Sequence, residues 1–197
     1  MVPAAGGSTA RHRGARPPMR VAPAWPVLAL LVVLALDAVK AARAWPVPVV
    51  GVLDEPAHLL TAWLVLAAVP ALAVRVPLRW VLVGAVAIDL DHLPLYAFGG
   101  PVAEPDGRPV THSALTVLLI LAAARVRPRH RHLLLGLATG LVLHLVRDVA
   151  GGPGIPLLWP LADAGVRVPY GVLAAVLLFA TTVATTRALR ARRGADG

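Results

Sequence analysis

Residues 144–160 read HLVRDVAGGPGIPLLWP. The stretch opens as the end of an apolar helix, LLLGLATGLVLHLVRDV over 133–149. A Gly-Gly-Pro-Gly run then ends the helix, and an apolar hook follows with Trp159 at its tip. His144 and Asp148 stand four residues apart. On a helix they share one face, about 6 Å apart along the axis. An imidazole and a carboxylate at the end of a membrane-type helix are costly unless they have partners. The rest of the chain is read for those partners.

Of the 197 residues, 58% are hydrophobic and only 15% charged, which is too apolar for an ordinary soluble domain. The apolar residues fall into long runs, so the fold class is all-α, a polytopic membrane helix bundle. The chain has no cysteine, which excludes disulfides and thiolate metal sites. The net charge of +9 could suggest nucleic acid. Its distribution fits membrane topology better, and no nucleic-acid partner is expected.

Six spans are expected. They cover 25–42, from near Asp54 to Arg75, from Arg79 into AIDLDHLP, 111–125, 133–149 and 170–187. Trp25 and Trp45 read as interfacial anchors of the first, and Trp159 reads as another. Residues 1–22 form a basic tail rich in Gly, Ala, Pro and Arg, expected to be disordered rather than a signal peptide. Residues 23–190 form one bundle without internal repeats, and 191–197 are a C-terminal tail. With the N-terminus in the cytoplasm, fourteen of the 19 Lys and Arg fall in cytoplasmic segments. They are four in the N-tail, Arg75 and Arg79, four over 125–131 and four over 187–193. The other side keeps Lys40, Arg43, Arg108, Arg147 and Arg167. Both termini are therefore expected inside.

Four polar clusters interrupt the spans: Asp54-Glu55-Pro56-Ala57-His58, Asp89-Leu90-Asp91-His92, Arg108 to Ser113, and His144 with Asp148. In this topology all four face the extracytoplasmic side. His92, His112 and His144 each lie 13 residues from the basic residue bounding their span, and His58 lies 17. At 1.5 Å per residue these are depths of roughly 20 and 25 Å. Four separate helices thus bring a His into one slab of the outer leaflet. Imidazole and carboxylate together suit zinc, and also manganese or iron. The expected metal ligands are His58, Asp91, His92, His112, His144 and Asp148, which are more than one tetrahedral zinc requires. Either two ions bind, or one ion binds beside a carboxylate base. Asp54, Glu55 and Asp89 are candidates for the base or for groups that orient the ligands. Arg108 is suited to a phosphate oxygen, and Thr111 is expected to cap a helix. Asp37 and Asp163 read as solvated boundary residues, and Ser113 as a packing hydroxyl rather than a nucleophile.

At these residues the chain resembles the YdjM-like family of predicted membrane-bound metal-dependent hydrolases, also described as LexA-binding inner-membrane proteins. The family carries Pro-Asp-x-Asp-His, seen here as Ile88-Asp89-Leu90-Asp91-His92. It carries His-Arg-x-x-Thr-His-Ser, seen here as Gly107-Arg108-Pro109-Val110-Thr111-His112-Ser113. Its third motif, His-x-x-x-Asp followed by Gly-x-Pro-Leu-Leu-Trp-Pro, is His144 to Asp148 and then Gly154 to Pro160. His58 corresponds to an early family His. Ile88 replaces the family Pro, and Gly107 replaces its first His in the second motif. The resemblance covers about residues 55–170. It implies an inner-membrane location and hydrolase activity. No residue here is tied to the LexA association.

The function expected is metal-dependent hydrolysis of an ester or phosphoester, in a lipid or lipid-linked molecule, with metal-activated water as nucleophile. The alternatives are a metal-ion or proton transporter using the same residues, and a non-catalytic membrane protein with a structural metal. The inner halves of the spans are almost purely apolar, which favours a one-sided pocket over a transport path.

Overall fold

A computed structural model describes residues 21–93, 108–152, 154–162 and 164–196. The expected N-terminal tail, Gly107 and Asp163 lie wholly or mostly outside these residues, as do positions 94–107 of the loop after the third span. The described residues are helical throughout, joined by short turns and one isolated β-bridge. The helices are α1 (Ala24–Ala41), α2 (Val47–Ala68), α3 (Pro70–Arg75), α4 (Leu78–Gly84), α5 (Ala114–Val126), α6 (Arg131–Asp148) and α7 (Tyr170–Asp196).

Among the described residues, three helices are long and apolar enough to cross a membrane: Ala24–Ala41, Pro48–Ala68 and Tyr170–Ala195. The expected first span is α1, and the expected fifth is α6. The second begins seven residues earlier than Asp54, at Val47, and breaks at Val69 before α3. Pro70 follows the break and opens α3, as its ring and missing N–H dictate. The sixth continues to Asp196, through most of the segment expected as a tail.

The expected third span is not one helix. α4 ends at Gly84, and Ala87–His92 is a 3-10 helix. The sequence contains the reason. Asp89 and Asp91 are two residues apart, which on an α-helix points them about 200° apart. Each nonetheless approaches His112. The expected fourth span, α5, starts at Ala114 with Ser113 as its N-cap, so Thr111 does not cap it.

Large apolar side chains lie on the outside of the bundle, and several polar ones join the apolar residues inside it. Leu31, Leu118, Leu119, Leu178 and Phe179 are exposed, while His58, His112, His144, Arg147 and Asp148 are buried. Lipid accepts the first set, and only the bundle interior accepts the second. α1, α2 and α7 pack together around Leu30, Val33, Ala57, Leu64, Leu173 and Leu177. α6 lies between α4 and α5 and also touches α2.

The α4–α6 contact is made by glycine. A Cβ on Gly140 would lie 2.0 Å from the Val81 carbonyl oxygen, and one on Gly84 2.3 Å from that of Leu137. A Cβ on Gly136 would meet Trp80 Cβ at 2.5 Å. Gly136 and Gly140 form a GxxxG pair, the spacing that lets membrane helices approach backbone to backbone. After α6 the chain turns at Gly152 and Gly154, with φ of +59° and +101°, which side chains other than glycine's resist. Ile155 and Val166 then pair across the hook. The hook also closes the site end of α5, where the Ala114 N–H donates to the Leu157 carbonyl at 2.9 Å.

Candidate metal centre

His144 projects from the last turn of α6 into a fully buried position. Its Nδ1 lies 2.8 Å from the Ala85 carbonyl oxygen. A carbonyl only accepts, so Nδ1 carries the proton and Nε2 presents a lone pair. That lone pair stands 3.0 Å from Asp148 Oδ2 and 3.6 Å from Asp89 Oδ1. His112, delivered by the turn before α5, brings Nε2 to 3.1 Å from Asp89 Oδ1 and 3.6 Å from Asp148 Oδ2. Four ligand-type atoms from three parts of the chain thus form a closed ring, with sides of 3.0–3.6 Å.

Two of these separations, 3.6 Å each, are those of neighbouring ligands on one ion, and the other two, 3.0 and 3.1 Å, are ion-pair distances slightly shorter than that. Bonds of about 2.0–2.2 Å at tetrahedral angles put neighbouring ligand atoms about 3.3–3.6 Å apart. Without a proton or a metal, the ring sets two carboxylate oxygens against an imidazole lone pair in a buried space, which is strongly unfavourable.

The other expected ligands surround this ring. Asp91 Oδ2 lies 3.3 Å from His112 Nδ1 and also receives the Thr111 hydroxyl. It therefore orients the imidazole from behind, as carboxylates commonly do for metal-bound histidine. His92 Nδ1 is 2.8 Å from Asp91 Oδ1 and 3.4 Å from Asp89 Oδ1. The ligand atoms of Asp89, Asp91, His92 and His112 lie within 4.8 Å of one another, as do those of His58, His144 and Asp148. The His58 ring stacks on His144 at 3.9 Å between centroids. Its Nε2 is 3.4 Å from Asp148 Oδ1 and 3.9 Å from Asp54 Oδ1.

The four residues read as base or anion contact diverge. Asp89 belongs to the ring itself. Asp54 accepts from Lys40 Nζ at 2.7 Å and from Arg147 Nη2 at 3.2 Å, so its charge is already matched. Glu55 adjoins Asp89 and lies within charge range of Asp54 and Asp148. Its Oε2 is buried and has no hydrogen-bond partner. Arg108 Nη1 donates to Asp148 Oδ2 at 2.5 Å, holding the carboxylate that joins the ring to His58.

A second polar network was not anticipated. Arg147, only 3% exposed, donates to both carboxylate oxygens of Asp37 as well as to Asp54. The Tyr170 hydroxyl donates to Asp37 Oδ2 at 2.7 Å. Asp37 is therefore not a solvated boundary residue. Together these residues tie α1, α2, α6 and α7 beside the ring. The available signal was Asp37 itself, an acid one turn inside the end of a helix whose other charged residue is Lys40.

No curated protein and no solved structure matches the chain. The model of the YdjM inner membrane protein family does match it over residues 27–196, taking in both α1 and α7 as well as every residue of the ring. The chain belongs to the YdjM inner membrane protein family.

Proposed function

We propose that the protein is a membrane-embedded, metal-dependent hydrolase. Its substrate is an ester or phosphoester of a lipid or lipid-linked molecule, approached from the extracytoplasmic side of a six-span bundle with both termini inside. The observation that carries this reading is the ring of Asp89, His112, His144 and Asp148, in which two imidazole nitrogens and two carboxylate oxygens alternate at 3.0–3.6 Å. Two nitrogens and two carboxylate oxygens suit zinc, with manganese and iron as further candidates. A bound ion would lower the pKa of a coordinated water and polarise the scissile group.

The chain's own residues supply the rest. Ala85 and Asp91 hold His144 and His112 in their binding orientations. Glu55, the carboxylate next to Asp89 that is outside the ring, takes up the proton released by an attacking water. Arg108 reaches the ring from the outer loop and is suited to an anionic oxygen of the substrate. Leu90 and Leu93 alternate with the ligand residues and are exposed, giving the site an apolar lip that favours a lipid. The outward orientation is supported by the fourteen-to-five division of basic residues.

The test is metal analysis of the purified protein, with and without His144→Ala, followed by a panel of phospholipids and lipid-linked phosphates. Bound metal that is lost with His144, and cleavage of at least one panel member by the loaded parent, are expected. Bound metal with no cleavage, together with metal or proton flux in vesicles, would replace this reading with transport.

A further inference from the structure

The hook after α6 is seated beside the ring. One limb holds α5, where the Ala114 N–H donates to the Leu157 carbonyl, two residues from His112. The other returns past α6, where the Val168 N–H donates to the Val149 carbonyl, next to Asp148. Between them Ile155 and Leu157 share one apolar cluster with Ile88 and Leu145, the neighbours of Asp89 and His144. Each residue of the ring therefore has a close chain neighbour bonded to the hook or clustered with it.

The depth of the hook follows from α5. Its 13 residues rise roughly 20 Å, against about 30 Å of hydrocarbon. One end of α5 runs into Arg125, Arg127, Arg129 and Arg131, all exposed, which mark a water boundary. Ala114, at the other end, therefore lies about 10 Å below the opposite face of the hydrocarbon. The hook bonded to it occupies that gap.

Its composition and hydrogen bonding suit that depth. From Val149 to Ala162 the chain carries no charged residue. The bilayer core tolerates irregular backbone only where its polar groups are satisfied inside the protein. Pro156 and Pro160 have no N–H. The N–H groups of Ile155, Leu157, Trp159, Leu161 and Ala162 all donate to carbonyls within 155–166. Leu158 and Leu161 turn outward from this bonded frame, 52% and 91% exposed. Water disfavours such exposure, and acyl chains accept it.

We propose that the hook is a lipid-docking surface, embedded in the leaflet on the ring's side of the membrane with Leu158 and Leu161 against acyl chains. This rests on α5 being one of the six spans proposed above. Acyl chains then lie beside the ring, and the substrate class narrows to membrane lipids that enter sideways from that leaflet.

The chain has no cysteine, so one introduced cysteine is the sole point of nitroxide attachment. Leu161→Cys and, as a second position, Leu158→Cys are labelled in the full chain and reconstituted in phosphatidylcholine vesicles. Power saturation then compares collisions with oxygen, which concentrates in hydrocarbon, and with a nickel chelate confined to water. Phe179→Cys, at a position 71% exposed on α7, is the lipid reference. Arg43→Cys, exposed beyond the end of α1, is the water reference. Both hook labels are expected to favour oxygen, as Phe179→Cys does. Hook labels that favour the nickel chelate, as Arg43→Cys does, would put the hook in water and overturn the proposal. Topology reporters after residue 130 and within 98–110 that read the same side would instead overturn α5 as a span.

Discussion

His144 Nδ1 lies 2.8 Å from the carbonyl oxygen of Ala85, 59 residues earlier in the chain. The contact exists because α4 and α6 touch through Gly84, Gly136 and Gly140. It fixes the tautomer that turns Nε2 toward Asp148 and Asp89. Helix packing and the geometry of the candidate metal site are therefore coupled at one hydrogen bond.

That coupling makes Gly140 a remote determinant of metal affinity. In Gly140→Val the new Cβ would overlap the Val81 carbonyl, at 2.0 Å, and would push α4 and Ala85 away. Overpacking of this kind costs about 1–3 kcal/mol. Loss of the carbonyl behind the imidazole should weaken metal binding about 10–100-fold. Gly171→Ala is the control, because nothing lies within 4 Å of its added carbon. Competition with a calibrated chelator reads both. Unchanged affinity in Gly140→Val would separate the helix contact from the site.

The Arg147 network predicts a different pattern. Arg147→Met leaves Asp37, whose side chain is 11% exposed, with only the Tyr170 hydroxyl. Breaking one side of a buried ion pair costs about 3–5 kcal/mol. Asp37→Asn combined with Arg147→Met removes the orphaned charge and should recover a substantial part of that loss. Unfolding in detergent, followed by circular dichroism, measures both. A double variant as unstable as the single one would show that Arg147 acts through packing rather than charge.

Ser113 offers a sharp negative. It stands beside His112, but its buried hydroxyl has no hydrogen-bond partner. Removing an unsatisfied buried hydroxyl is near neutral or mildly stabilising. Ser113→Ala should retain stability, metal content and turnover. Loss of turnover with metal retained would make Ser113 a nucleophile.

The convergence of His58, His92, His112 and His144 was legible in the sequence because each lies a similar distance from a basic boundary. Helical rise converts such spacing into depth. The break after α4 was not read, because it follows from Asp89 and Asp91 both meeting His112, which no local pattern shows. Nor was the Arg147 network, because its members are 93 to 133 residues apart and share no local motif. Asp89 was read as a base and belongs to the ring of ligand-type atoms. Sequence spacing ranks carboxylates by face and depth, but it does not say which oxygen meets which nitrogen. The close approach of α4 to α6 decides that, and Gly84, Gly136 and Gly140 were its local trace.

Orientation in the membrane has its own test. Reporters fused after residue 130 and at the C-terminus should read cytoplasmic, and reporters within 98–110 should read extracytoplasmic. This follows from the division of basic residues between the two sides. A cytoplasmic signal from 98–110 would turn the site to the other face and remove extracytoplasmic lipid from its substrates.

The most direct test of the ring as a metal centre is the metal content of the purified chain beside that of His144→Ala and His112→Ala. The parent should carry zinc, manganese or iron in stoichiometric amount after dialysis. Each variant should lose the ion of the ring while keeping its helical content. A parent free of metal after loading with each of these ions, or variants that retain the parent's full metal content, would contradict the account.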